Sequence, residues 1–404
     1  MSSQLSETQP NHSQYTVAIL CALDKELLAV RALFDAHYAD LPTVRQDTNH
    51  YILGRIGKHN IVSMCLALGE YGTNSAANAV SHLSRSFPNV EVCLLVGIGG
   101  GVPNRHDIRL GDVVVGQTVL QYDLGKELEN GTFQRIVTPQ RSSQLLRKAI
   151  SALKSDPRLP RDPLATYIRR IVSYRPEYGF PGRDIDRAFP ADQPHRHGHN
   201  DCGDCGNFYY RKPRVPEYPK IHYGMIASGN KVIKSAKVRD ELAAQHDILC
   251  FEMEAAGVIH EIPSLVIRGI CDYADSHKND VWQEYASAAA AAYARLLLSV
   301  VRGSADQEIS SPQSSRSIES ETPQDATYED RSYVVSPRTG RYPGYTEEGR
   351  PMSLLLQETP LARYYLPMDR SDDLGYNEEL KLGEYDRHVC SLPLLSYSSN
   401  ECWY

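Results

Sequence analysis

The feature that most narrows the fold is an alternation along the chain. Short apolar runs rich in β-branched residues take turns with longer stretches whose apolar residues recur at helical spacing. Residues 15–23 (Tyr-Thr-Val-Ala-Ile-Leu-Cys-Ala-Leu) read as a buried strand. Asp24 follows as a helix cap, and the spacing of Leu27, Leu28, Val30, Leu33 and Phe34 predicts a helix to residue 36. Residues 50–68 read as a hairpin turning over Gly57-Lys-His-Asn60. A helix is expected over 73–85, and a buried strand over 90–96 that runs straight into Gly97-Ile-Gly-Gly-Gly101. Further strands are expected at 111–119, 221–227, 248–251 and 265–270. Further helices are expected at 144–153, 234–245, 253–260 and 282–301, the last capped by Asn279 or Asp280. Such alternation predicts an α/β domain with a mixed, mostly parallel sheet flanked by helices.

Two stretches stand outside the pattern. Residues 155–217 are rich in Pro, Arg, Asp, Gly and His and keep no steady period. A loop that long is uncommon inside a compact domain, so it reads as an insertion, a lid or a partly disordered stretch. Past Gly303, Ser, Pro, Glu, Asp, Arg and Tyr dominate, and the apolar patches near 352–356 and 389–395 are too brief to make a core. The expected organisation is a disordered start at 1–11, a domain over 12–302 with its insertion, and a mostly disordered tail over 303–404. A chain of 404 residues with 41% hydrophobic content can bury one large core. The formal net charge of −7 argues against a nucleic-acid-binding surface. No apolar run reaches the roughly 18–20 residues that span a bilayer, and the polar N-terminus lacks a signal-peptide pattern. Cys21, Cys65, Cys93 and Cys250 sit in strand-like runs, as buried free thiols do. The chain is therefore read as intracellular and cytoplasmic, with neither membrane nor nucleic acid as partner.

Four segments carry chemistry. The glycines at 97–101 follow a strand and let backbone N–H groups approach a ligand, though a tight structural turn explains them equally well. In Phe251-Glu-Met-Glu-Ala-Ala256, two carboxylates flank Met253 where a strand gives way to a helix. On an extended backbone they point to opposite sides, so one can face a pocket while the other makes a structural contact. An ionised carboxylate suits a ribose diol, and Met offers a soft apolar surface. In Arg268-Gly-Ile-Cys-Asp-Tyr-Ala-Asp275, Asp272 and Asp275 follow a buried strand, and carboxyl ends of strands are where open α/β sheets bind ligands. An Asp there can act as general acid. Glu26, after the first strand, can orient a water. The bland readings are a charged helix start for the Glu pair, a cap for the Asp residues and a solvated face for Glu26.

Taken in order, Ala-Leu-Asp-Lys-Glu (22–26), Leu-Gly-Glu-Tyr-Gly (68–72), Val-Gly-Ile-Gly-Gly-Gly-Val (96–102), Leu-Gly-Asp-Val-Val-Val (110–115), Ala-Ser-Gly-Asn-Lys-Val-Ile (227–233), Phe-Glu-Met-Glu-Ala (251–255) and Arg-Gly-Ile-Cys-Asp-Tyr-Ala-Asp (268–275) resemble the nucleoside phosphorylase superfamily. Within it the chain is similar to methylthioadenosine/S-adenosylhomocysteine nucleosidases, and more so to the nucleoside-phosphorylase domains that open fungal multidomain proteins ahead of NACHT or ankyrin modules. The resemblance implies a three-layer fold and cleavage of a purine N-glycosidic bond, without a required cofactor and in a homo-oligomer. It implies that Asp272 protonates the purine, that Glu254 binds the ribose hydroxyls with Met253 packed on the sugar, and that Val232 and Ile233 lie near the base. It implies that Gly97, Ile98 and Gly99 line the place of phosphate or water, and that Glu26 positions that water. The Ser that nucleosidases carry before the catalytic Asp is Cys271 here.

The co-substrate is expected to be water. Phosphorolytic members carry a Gly-Asp-Pro segment and an Arg where this chain reads Cys21-Ala-Leu-Asp-Lys-Glu26, and a carboxylate there repels phosphate. Phosphorolysis stays as the alternative. Arg105, with Arg109, Lys126 and Lys231, offers a basic rim for a 5′-phosphate chain, as in ATP, against the plain reading of solvated loop charge. Cys202 and Cys205, with His195, His197 and His199 close by, resemble half a zinc knuckle; Cys202, Cys205 and His199 are the expected ligands of a structural zinc, and a polar loop is the other reading. The rival from another class is a purine-sensing module that binds without turnover. Glu26, Glu254 and Asp272 together argue against it, because binding alone needs no proton donor.

Overall fold

The computed structural model describes residues 9–136, 138–196, 202, 205–215 and 218–303. The expected tail from 304 onward and most of the expected disordered start lie outside the described residues. In chain order the elements are β1 (Val17–Cys21), α1 (Asp24–Arg31), β2 (Ala36–His37), β3 (Tyr51–Ile56), β4 (His59–Cys65), α2 (Thr73–Ser86), β5 (Val92–Gly101), α3 (Pro103–His106), β6 (Val113–Gln121), β7 (Gly125–Glu127), β8 (Phe133–Arg135), β9 (Gln140–Arg141), α4 (Gln144–Lys154), α5 (Ala165–Tyr174), β10 (Ile221–Ser228), α6 (Ala236–His246), β11 (Ile248–Glu252), α7 (Ala255–Val258), β12 (Ser264–Asp272) and α8 (Gln283–Leu298).

One mixed sheet organises them, in the order β11-β10-β6-β12-β5-β1-β4-β3-β2. The pairings β4–β1, β1–β5, β5–β12, β6–β10 and β10–β11 are parallel. β12–β6 and the β2–β3–β4 edge run antiparallel. β11 also meets β5 antiparallel at Gly100 and Gly101, so the sheet curls back on itself there. β1, β11 and β12 are buried along their whole length, which explains why their sequences are continuous apolar runs without alternation.

Helices cover both faces, giving the three layers. On one side α1, α4, α5 and α8 pack over Ile19, Leu94 and Ile267; on the other α2 and α7 pack over Leu20, Leu95 and Val266. Each such fully buried aliphatic side chain contributes on the order of 1.5–3 kcal/mol. α8 lies close because its contact face is alanine: Ala286 and Ala288 to Ala292 are buried, and Gly269 of β12 has no side chain to strike the Ala286 carbonyl.

The structure amends several sequence expectations. The 97–101 glycines are not a turn: β5 continues through them, none at positive φ. The first helix starts behind Leu23 rather than Asp24, and α8 starts behind Trp282 rather than Asn279 or Asp280. Within the stretch read as irregular, α5 forms and buries Ile168 and Ile171 against the core. Its apolar residues do keep a helical period, but the Pro- and Arg-rich flanks mask it. No helix among the described residues is long and apolar enough to cross a membrane.

Candidate active site

The chemistry gathers at the end of β5. Glu26 is the third residue of α1, a position from which a carboxylate can fold back onto N-terminal amides. Its Oε2 accepts the N–H of Ala22 at 2.8 Å and of Leu23 at 2.9 Å, and its Oε1 accepts the Ile98 N–H at 2.8 Å. The carboxylate is only 1% exposed. Burial pushes its pKa up, opposed by Arg268 and the three N–H donors.

Arg268 sits on β12 directly opposite Gly97 of β5. A Cβ at Gly97 would lie 2.5 Å from Glu26 Oε1 and would also strike the Arg268 guanidinium. The missing side chain is what lets the two groups approach. Gly97→Ala is therefore expected to cost about 1–3 kcal/mol by overpacking, read as a lower urea midpoint.

β11 ends at Glu252 and α7 begins at Ala255, so Glu252, Met253 and Glu254 form the corner between them. The Glu252 carboxylate accepts the N–H of Glu254 at 3.2 Å and of Ala255 at 3.1 Å, and pairs with Arg268 Nη2. Glu254 takes the other role: its Oε2 lies 3.1 Å from Arg268 Nη2, and its Oε1 accepts the Gly72 N–H at 3.3 Å. Three buried carboxylates thus surround one guanidinium. Burial disfavours the charged Arg268, but Glu252, Glu254 and Glu26 outweigh it and hold the pKa above its usual value. The surplus falls on Glu254, whose pKa rises to about 7. Burial is the main cause and crowding by Glu252 and Glu26 adds to it, against the pull of Arg268 and the Gly72 N–H.

That shift has a definite sign. A carboxyl whose pKa rises from 4.5 to about 7 on folding binds its proton more tightly when folded. Its contribution to stability is then full at low pH and is lost as the pH rises through this window. Glu254→Gln is expected to flatten the fall of Tm between about pH 4.5 and 7, as measured by calorimetry across that range.

Asp272 closes β12 opposite Gly100. A Cβ at Gly100 would stand 2.7 Å from Asp272 Oδ1, so this glycine too makes room for an acid. Oδ1 accepts the Ala274 N–H at 2.8 Å, and Oδ2 lies 3.1 Å from Lys278 Nζ and 3.2 Å from Cys271 Sγ. Phe251 of β11 also pairs with Gly100. One residue of β5 is therefore flanked by the strand ending in Asp272 and by the strand leading into the Glu252–Glu254 corner.

The remaining residues singled out in the sequence are placed as follows. Ile98 is half-buried and donates its N–H to Glu26, while Gly99 passes so close to the Phe251 carbonyl that a Cβ would lie 2.9 Å from it. Met253 is half-buried between the two acids. Val232 is exposed, and Ile233 packs against the cluster holding Phe251 and Leu242. Arg105 is engaged elsewhere: its Nε lies 3.7 Å from Asp247, and Nη1 reaches the Ala243 and Ala244 carbonyls. Arg109 pairs with Asp107 at 3.0 Å, and Lys126 and Lys231 are exposed. Asp275 pairs with the fully buried Arg239, away from Asp272's partners. His199 lies outside the described residues; among the described residues the histidine beside Cys202 and Cys205 is His195.

Sequence reasoning missed Arg268 as the hub, and with it Gly72, Asn230 and Lys278. Arg268 had a readable signal: an Arg inside Leu265-Val-Ile-Arg-Gly-Ile270 has to be buried, and a buried cation demands carboxylates. Asn230 had none. Its Oδ1 accepts the Thr73 N–H at 3.0 Å and its own N–H reaches Asp123 at 2.7 Å, which pins the turn carrying Gly72. A cavity of about 400 Å³ opens elsewhere, lined by Leu110, Ile168, Phe180, Trp282, Tyr285 and Arg214. It includes none of the acids above, and Arg214 is already paired with Asp112 and Asp107.

Known proteins share this chain's sequence pattern. A nucleotide-binding leucine-rich repeat (NLR)-like protein of Hyaloscypha variabilis is 41% identical over 298 residues, which is 71% of this chain and 29% of that protein. The ATP nucleosidase Cap17 of Escherichia coli is 26% identical over 284 residues, 68% of this chain and 49% of Cap17. The 5′-methylthioadenosine/S-adenosylhomocysteine nucleosidase of Mycobacterium bovis is 25% identical over 291 residues, 70% of this chain and 95% of that enzyme. The chain thus spans under a third of the first relative and about half of the second. The family model of the phosphorylase superfamily matches residues 16–302, the stretch that carries Glu26, Glu252, Glu254, Arg268 and Asp272, and the chain belongs to that superfamily.

Proposed function

We propose that the domain hydrolyses the N-glycosidic bond of a purine nucleoside or nucleotide and releases the free base. The observation that carries this reading is the convergence of Glu26, Glu252 and Glu254 on Arg268, with Asp272 beside them across Gly100. Breaking a bond at C1′ builds positive charge on the sugar, as in glycoside hydrolysis. A site with more buried carboxylates than cations is preorganised for that charge. Glu254 binds the ribose hydroxyls and faces the developing cation in its ionised form. Arg268 touches no substrate; as a positioning residue it holds the acids in place and opposes the rise that burial gives their pKa values. Asp272, protonated from solvent before each turnover, gives that proton to the departing purine, and the Lys278 ammonium at 3.1 Å stabilises the carboxylate left behind.

Water rather than phosphate is the co-substrate in this reading. The Ile98 N–H, the donor in the glycine stretch that an anion would need, is already taken by Glu26. An incoming phosphate would meet a carboxylate instead of a free donor. The relatives named nucleosidases agree with this choice.

The test is a product assay with adenosine, inosine, methylthioadenosine and ATP, with and without phosphate. Free base plus a sugar bearing a reducing end, independent of phosphate, is the expected result. Ribose 1-phosphate formed only with phosphate would establish phosphorolysis. Tight binding with no base released from any substrate would establish a purine-sensing module. Since ionised Glu254 is needed, base release should rise with pH through about 7.

A further inference from the structure

Away from the acids, the segment that follows α5 brings soft ligands together. Cys205 Sγ lies 3.1 Å from His195 Nδ1 and Cys202 Sγ lies 3.8 Å from it. The three ligand atoms all fall within 4.8 Å of one another. Zinc at about 2.3 Å from sulfur and 2.0–2.1 Å from nitrogen sets neighbouring ligand atoms roughly 3.5–4 Å apart. Both cysteines are free, and Cys205 is buried.

A second observation points to the same place from another part of the chain. His277 is 8% exposed and stacks on Phe189 with ring centroids 3.8 Å apart. Among the described residues neither of its ring nitrogens has a hydrogen-bond partner, although Nδ1 faces Asp275 Oδ1 at 3.7 Å. A buried imidazole normally satisfies at least one nitrogen. Its ring stands edge-on to His195 with centroids 5.4 Å apart, and its carbonyl lies 3.9 Å from Cys202 Sγ. Two imidazoles on one tetrahedral zinc would have centroids roughly 5 Å apart. His277 lies just outside the trio, and joining it requires a shift of its ring along Phe189.

We propose that His195, Cys202, Cys205 and His277 bind one zinc ion, which ties the segment after α5 to the turn that follows β12. On binding, the two thiols give their protons to solvent and the imidazoles bind as neutral rings. The ion joins residues far apart in sequence, so it acts as a cross-link. The turn is already tied to this segment by the His195 N–H donated to Ser276 Oγ at 2.9 Å and by Arg211 Nη2 donating to the Tyr273 hydroxyl at 2.7 Å. It also carries Lys278, the partner of Asp272, and holds Ala274 at φ 51°. A turn with a residue in that strained region persists only when its surroundings fix it.

The experiment uses the full chain and no activity readout, so it stands or falls apart from the proposed reaction. The purified protein is assayed for metal by mass spectrometry. It is then stripped with chelator and titrated with cobalt(II). About one zinc per chain is expected, with a cobalt spectrum of a tetrahedral site bearing two thiolates. Cys202→Ser and Cys205→Ser should lose the metal, and His277→Ala should change the cobalt spectrum. In the wild-type chain, removing zinc should speed hydrogen exchange of amides 273–278, a readout that needs no variant to fold. A protein that neither carries zinc nor takes up cobalt overturns the proposal, as does a Cys202–Cys205 disulfide in its place. An unchanged spectrum in His277→Ala overturns the four-residue shell, and unchanged exchange overturns the cross-link.

Discussion

Asp272→Asn is expected to slow base release by about 10²–10⁴-fold, the usual worth of a positioned proton donor. The amide keeps the shape of the carboxyl and still accepts the Ala274 N–H through its oxygen. It has no proton to give to a leaving purine at neutral pH. The loss should fall on kcat with KM little changed, because the missing interaction belongs to the transition state. Steady-state kinetics on the best substrate of the product assay would check this. A variant within about threefold of wild type would remove Asp272 from the proton-donor role. Thermal melts of the two proteins should be run beside the kinetics. The Lys278 ammonium loses its charged partner, so some stability is spent, but the domain core does not depend on this pair.

Arg268→Met should have the largest effect on stability. Methionine fills much of the arginine stem's volume but leaves Glu252, Glu254 and Glu26 buried without their shared cation. Removing one partner of a buried ion pair costs about 3–5 kcal/mol, a large part of the roughly 5–15 kcal/mol that holds a typical domain. The variant is expected to be poorly soluble, or to melt far below wild type at pH 8 and recover partly at pH 5, where the carboxyls can take up protons. Adding Glu254→Gln to Arg268→Met should restore part of the loss. If Arg268→Met matches wild type across that pH range, the cluster is not held by this charge balance.

The effect at Arg268 traces to a departure from good core chemistry. A protein selected for stability alone would not place three acids around one arginine inside an apolar sheet. Burial and the crowding of like charges raise Glu254 to about 7.

The sequence by itself determined a great deal. The continuous apolar runs that became β1, β11 and β12 could only be strands buried on both faces, and the alanines of α8 could only face something close. Those patterns are local, so the elements and the α/β class were legible. The motif order carried the family and the acids Glu26, Glu254 and Asp272. Two things were decided only in three dimensions. The 97–101 glycines left a ligand-approaching stretch and a tight turn equally open, yet β5 runs straight through them; what they supply is space for Glu26, Arg268 and Asp272, side chains that arrive from β12 and α1. Likewise Arg268 became the hub, and among the described residues His195 was set beside Cys202 and Cys205 with His277 close by. Clearance and charge balance depend on which chain segments end up adjacent. Sheet order fixes that adjacency, and no single stretch of sequence contains it.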